Sequence, residues 1–149
     1  LDSKSSSEVW SGFRVAQRAR VADIEIIDED KKLEFAAVHD GYTRIASKPV
    51  HKRKWKVNDG CLEIVDEVTG SQNIVQLRYY LHPDIHVDIH DDSLILGTSS
   101  EKLAKIRTEQ YMQVVDSTYH DKFGVSRKNK CLLITGTTPF SSKVSISWN

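Results

Sequence analysis

The chain has 149 residues, 39% of them hydrophobic and 28% charged, which suits one globular domain able to bury roughly 68–70% of its unfolded surface. Lys plus Arg and Asp plus Glu balance at 21 each, so net charge steers the chain toward neither nucleic acid nor an anionic membrane. No apolar run reaches the roughly 18 residues of a membrane helix, and no signal peptide is visible downstream of Leu1; a signal further upstream would not show.

Residues 1–8 are polar and serine-rich and read as a frayed lead-in, with residues 9–149 as a single domain. From there the period is two nearly throughout. Ile24 and Ile26 alternate with Asp23 and Glu25, and Leu33, Phe35 and Ala37 with Lys32 and Glu34. Val75, Leu77, Tyr79 and Leu81 alternate with Gln76 and Arg78. Ile85, Val87 and Ile89 alternate with His86, Asp88 and His90, and Val144, Ile146 and Trp148 with Ser145 and Ser147. This is the pattern of antiparallel strands with one wet face. Acidic and glycine turns separate the runs at 28–30, 40–41, 58–60, 69–71 and 91–92; Asn58-Asp59-Gly60 is the strongest hairpin signal. Ser99 to Arg107 carries a helix-start signal, but its apolar stripe stops at Ile106, so at most one helical turn is expected before a strand from Tyr111 to Tyr119. The expected fold is all-β: an antiparallel sandwich of roughly ten or more short strands.

Cys61 and Cys131 sit among apolar strand residues and read as buried free thiols. Trp10, Trp55 and Trp148 fall in phase with core positions, which argues against a sugar-stacking surface. On the run from His51 to Val57, Lys52, Lys54 and Lys56 form the wet face. Such a row protects a sheet or aids solubility, and polyanion binding is its functional alternative.

The opposite face is richer. His51 and Arg53 precede Trp55 and Val57, and His39 follows Leu33, Phe35 and Ala37. His39, Tyr42, Arg44, His51 and Arg53 are therefore expected at one strand corner. An arginine fork matches planar oxyanions, so a carboxylate or sulfate ligand is one reading. A buried polar network neutralised by Asp40 or Asp66 is the other, and it is preferred because no nucleophile or acid completes a catalytic set. His86, Asp88 and His90 share one strand face about 6.6 Å apart and form the chain's most metal-like set, a reasonable one for zinc but a weak one, since an exposed strand face also wants polar residues. No cofactor fingerprint occurs.

Four stretches together resemble the C-terminal part of the heparinase II/III family of bacterial polysaccharide lyases. They are Ser6-Ser7-Glu8-Val9-Trp10-Ser11-Gly12-Phe13-Arg14-Val15-Ala16 with Arg18-Ala19-Arg20; Ala37-Val38-His39-Asp40-Gly41-Tyr42 followed by His51-Lys52-Arg53; Ile64-Val65-Asp66-Glu67-Val68-Thr69-Gly70; and Tyr80-Leu81-His82-Pro83-Asp84. The resemblance covers roughly the first 85 residues. It implies a longer parent, with an upstream α-helical toroid, an acidic uronate polysaccharide held between toroid and sandwich, and a periplasmic or secreted location. It implies β-elimination, in which a base abstracts the C5 proton and an acid protonates the leaving oxygen. It places the residues for that chemistry, and the family's zinc site, upstream of Leu1, since the His-Asn-Thr motif is missing here. No catalytic or zinc residue is carried onto this chain. The implied function is a non-catalytic C-terminal domain supporting the substrate cleft; a free-standing carbohydrate-binding module is the alternative.

Overall fold

The computed structural model describes residues 1–11, 14–30 and 32–148; Gly12 and Phe13 of the first resemblance stretch lie outside them. Among the described residues there are thirteen strands and no helix: β1 (Glu8–Ser11), β2 (Arg14–Gln17), β3 (Val21–Glu29), β4 (Lys32–His39), β5 (His51–Asn58), β6 (Cys61–Val68), β7 (Ile74–Tyr80), β8 (His86–His90), β9 (Ser93–Gly97), β10 (Lys102–Thr108), β11 (Met112–Tyr119), β12 (Arg127–Thr137) and β13 (Phe140–Ser147). The helical turn allowed near Ser100 is absent. A tight β9–β10 connection takes its place, closed by Thr98 N–H donating to the Glu101 carbonyl at 2.9 Å.

Period-two sequence becomes antiparallel ladders because each run buries one side. β1 and β2 form a small hairpin. An eight-stranded sheet runs β3-β4-β5-β6-β13-β10-β9-β8, and a three-stranded sheet runs β11-β12-β7. Their inner faces meet in one core. Val68, Val144, Ile106 and Leu94 come from β6, β13, β10 and β9, and Val75, Leu77, Leu132 and Ile134 from β7 and β12. Facing apolar rows of this kind hold a sandwich together by removing area from water. Gly60 takes φ +68° in the β5–β6 turn, a left-handed value that favours glycine, as the hairpin signal predicts.

The first seven residues are not frayed. Leu1 lies in the core, and Asp2 is tied to the edge of β7: its N–H donates to the Ile74 carbonyl at 2.9 Å, and its carboxylate accepts from Ile74 N–H at 2.7 Å and from Asn73 Nδ2 at 2.9 Å. Polar composition suggests a loose end, but backbone groups paired with a sheet edge hold it. Glu8 already belongs to β1.

Two tryptophans also depart from expectation. Trp10 is 71% exposed and Trp148 41%, because β1 lies on a hairpin outside both sheets and Trp148 follows the end of β13. Phase identifies a face, but among the described residues nothing covers it there. Cys61 and Cys131 are both free; Cys131 is buried and Cys61 half-buried.

Candidate functional site: a polar relay ending on a buried aspartate

β4, β5 and β6 are consecutive neighbours, and their register places Ala37 opposite Arg53, Arg53 opposite Asp66, and His39 opposite His51. Same-face residues on paired strands lie within side-chain reach. Asp66 is completely buried, and a buried carboxylate must be paired and hydrogen-bonded. Four bonds from three side chains meet that requirement. Arg53 donates Nε to Oδ1 at 2.7 Å and Nη2 to Oδ2 at 3.0 Å. His51 Nε2 lies 2.6 Å from Oδ1, and the Tyr79 hydroxyl donates to Oδ2 at 3.2 Å. Burial pushes the Asp66 carboxyl up, but the bonds from His51 and Arg53 outweigh it and hold the group below the usual range. Tyr79 is shifted the other way, raised by its own burial and by the adjacent Asp66 charge.

The relay extends outward through His39. The Gly41 N–H donates to His39 Nδ1 at 3.3 Å, and His39 Nε2 lies 3.0 Å from His51 Nδ1. Because a backbone amide can only donate, His39 Nδ1 must accept, so its proton sits on Nε2 and passes the bond to His51 Nδ1. His51 in turn carries its proton on Nε2 and donates to Asp66. One direction of donation therefore runs from Gly41 to Asp66. Burial lowers the His39 pKa, and the neighbouring His51 lowers it further.

Arg53 is also flanked by rings, 5.9 Å from the Trp55 centroid and 5.6 Å from that of Tyr79, within cation–π range. Tyr42 stands beside His39 with ring centroids 5.4 Å apart, and burial raises its pKa. Arg44 does not join the Asp66 cluster. Its guanidinium donates to the carbonyls of Gly41, Ser5 and Ser6, clamping the first residues over the corner. Gly41 is needed at that contact, since a Cβ there would stand 2.4 Å from the Ser6 carbonyl oxygen.

Of the five predicted residues, the structure thus joins His39, His51 and Arg53 through Asp66, sets Tyr42 against them, and links Arg44 only through Gly41. Asp40 is used elsewhere, accepting from Arg20 N–H at 2.7 Å. Tyr79 was not foreseen as a member. Its inward phase with Val75 and Leu77 was readable, but its meeting with Asp66 depends on the packing of two sheets. The Arg53 edge that would grip a planar oxyanion is occupied by Asp66, so the arrangement binds and orients its own members.

The other two candidate surfaces differ. Lys52, Lys54 and Lys56 face Glu25 and Glu34, with Lys54 and Lys56 both on Glu34, so that row is charge-paired rather than an open basic stripe. His86, Asp88 and His90 stand exposed on β8, an edge strand. Among the described residues no group of three His, Cys, Asp or Glu side chains is placed to hold a metal ion.

A family model described as heparinase II/III-like, C-terminal, matches residues 1–149. The chain belongs to this family. Its heparinase II/III-like fold is similar to a crystal structure of a heparan sulfate lyase HepC mutant from Pedobacter heparinus, with a TM-score of 0.68 at 11% identity over 89% of this chain. The match spans 22% of that lyase, and at this identity the likeness concerns the fold alone. No curated protein matches.

Proposed function

We propose that this chain is a non-catalytic C-terminal domain of a heparinase II/III-like polysaccharide lyase, whose parent cleaves a uronate-containing polysaccharide by β-elimination and works in the periplasm or outside the cell. The observation that carries the reading is the closed relay on Asp66. Its histidines, arginine and tyrosine are all engaged with one another, which supports a bracing role for this cluster rather than proton abstraction or leaving-group protonation by its members. Family membership over the whole chain supports the domain assignment. In the parent, the relay braces the sandwich that faces the cleft, and an upstream α-toroid supplies the other wall.

The test is incubation of the chain with heparan sulfate, alginate and other uronate polymers. No rise in unsaturated-uronate absorbance is expected, whereas the complete parent should produce one. A metal-independent rise proportional to the amount of this chain would overturn the proposal.

A carbohydrate-binding module is the second reading, and one observation favours it: Trp10 and Tyr111 are 71% and 80% exposed, so rings are available for stacking on sugars. Calorimetric titration with uronate and neutral oligosaccharides separates the two. Binding abolished by Trp10→Ala or Tyr111→Ala supports the module, and absence of binding supports the domain role.

A further inference from the structure

The hydrogen count of the relay fixes how it responds to acid. His39 Nδ1 accepts from the Gly41 N–H at 3.3 Å, His39 Nε2 donates to His51 Nδ1 at 3.0 Å, and His51 Nε2 donates to Asp66 at 2.6 Å. A neutral imidazole takes up a further proton only on its hydrogen-free nitrogen. The relay has two such atoms, His39 Nδ1 and His51 Nδ1. Charging His39 puts a hydrogen on its Nδ1 directly. Charging His51 puts one on the His51 Nδ1, which obliges His39 Nε2 to accept and moves the His39 hydrogen to Nδ1. Both routes end with a hydrogen on His39 Nδ1 facing the Gly41 N–H, and two donors cannot bond to each other. The Gly41 end is therefore where acid acts, whichever ring holds the charge, while Asp66 keeps its donors.

That end is coupled to the opening residues. The Asp40–Gly41 peptide has its N–H on His39 and its carbonyl on Thr43, which donates its N–H at 2.9 Å and its hydroxyl at 2.8 Å. Because the peptide unit is planar, turning the N–H away from His39 also turns the carbonyl away from Thr43. Gly41 has little room to move alone, since a Cβ there would stand 2.4 Å from the Ser6 carbonyl oxygen and 2.7 Å from the Ala19 Cβ. The Arg44 guanidinium holds the carbonyls of Gly41, Ser5 and Ser6 together. We propose that the His39–Gly41 contact is an acid-operated latch: one proton taken up by the relay displaces Gly41, opens the Arg44 clamp and frees residues 3–7 while the sandwich stays folded. Leu1 in the core and Asp2 on the β7 edge have separate contacts, so what opens is a loop between Asp2 and β1. Burial opposes the added proton most strongly, followed by His51; Asp40 favours it, and Arg53 and the Leu1 ammonium oppose it. Asp66 lies beyond His51, Tyr42 and Arg44 stand at the corner, and Val21, opposite on β3, is uncharged. The latch therefore opens below the ordinary histidine value of 6.5.

Limited trypsin digestion of the full chain at pH 7.5 and pH 5.5 tests this. The readout is cleavage after Lys4, beside the clamped Ser5, relative to cleavage after Lys122 on the exposed β11–β12 turn, a ratio that cancels the pH dependence of the enzyme. Cleavage follows the open population when opening and closing are fast, and one linked proton changes that population by up to about tenfold per pH unit. The ratio should rise at least about fivefold on going to pH 5.5. In His39→Asn it should stay low at both values, because the amide oxygen accepts from the N–H two residues on and takes up no proton. In Arg44→Ala it should be high at both. A flat ratio in the native sequence overturns the proposal, and this comparison needs no variant. The same rise in His39→Asn, or a full pH response in Arg44→Ala, also overturns it. So does cleavage after Lys54, on the interior strand β5, rising in step with that after Lys4, which identifies unfolding of the whole sheet instead.

Discussion

Two histidine-bearing strands of this sheet have similar sequences and opposite fates. β5 offers His51 and Arg53 on its inner face; β8 offers His86, Asp88 and His90 on one face. β5 is an interior strand, flanked by β4 and β6, whereas β8 is at the edge. His51 and Arg53 meet a fully buried carboxylate and a tyrosine from the opposite sheet. The β8 residues meet water. Alternating polar residues therefore say little about chemistry until the neighbours of the strand are known, because low dielectric and fixed partners, rather than residue type, make a polar cluster consequential.

The sharpest way to break this contrast is Asp66→Ala. It strips Arg53, His51 and Tyr79 of their shared acceptor at once, and removing one side of a buried charge pair costs about 3–5 kcal/mol. Chemical denaturation should show that loss, and an unchanged midpoint would mean the cluster is not a stabilising unit. Arg53→Ala is expected to cost less, about 2–3 kcal/mol, since His51 and Tyr79 remain on the carboxylate. If melting temperature is unaffected by Arg53→Ala while uronate binding weakens, the cluster is a ligand surface and not a brace.

Acidity sharpens the comparison further. His39 has a folded pKa below its ordinary 6.5, so below that pH the unfolded chain binds more protons than the folded one and stability falls as pH falls. Protonation also puts a hydrogen on Nδ1, where the Gly41 N–H points. Asp66 adds a second loss further down: its folded pKa lies under the ordinary 3.8, so its contribution is present above that pH and disappears as pH drops through the folded value. Thermal melts from pH 7.5 to 5 should decline for the native sequence and flatten for His39→Gln. A slope of the same size in both would assign the effect to another group.

The smallest effect belongs to β8. His86→Ala with His90→Ala should shift stability by no more than about 0.5 kcal/mol, as for exposed positions generally, and zinc after dialysis should be substoichiometric in either form. One zinc per chain, lost in the double variant, would reverse the ranking of the two strands.

Much of this molecule was legible in its residues. The strands followed from alternation, the β5–β6 hairpin from Asn58-Asp59-Gly60, and the meeting of His39, His51 and Arg53 from phase alone, since the side chains of successive strand residues alternate between two faces. Asp66 was among the carboxylates near enough to neutralise them. The rest was settled in three dimensions. Whether a face is covered depends on how many strands stand opposite, and no local pattern encodes that number. Trp10 and Ile26 therefore have core-like phase and open surroundings, while Tyr79 reaches Asp66 across the sandwich. The opening residues look like a loose tail by composition, yet Asp2 on the β7 edge and the Arg44 clamp on Ser5 and Ser6 hold them in place. Periodicity assigns a side chain to a face; only the packing of one sheet on another decides what that face meets.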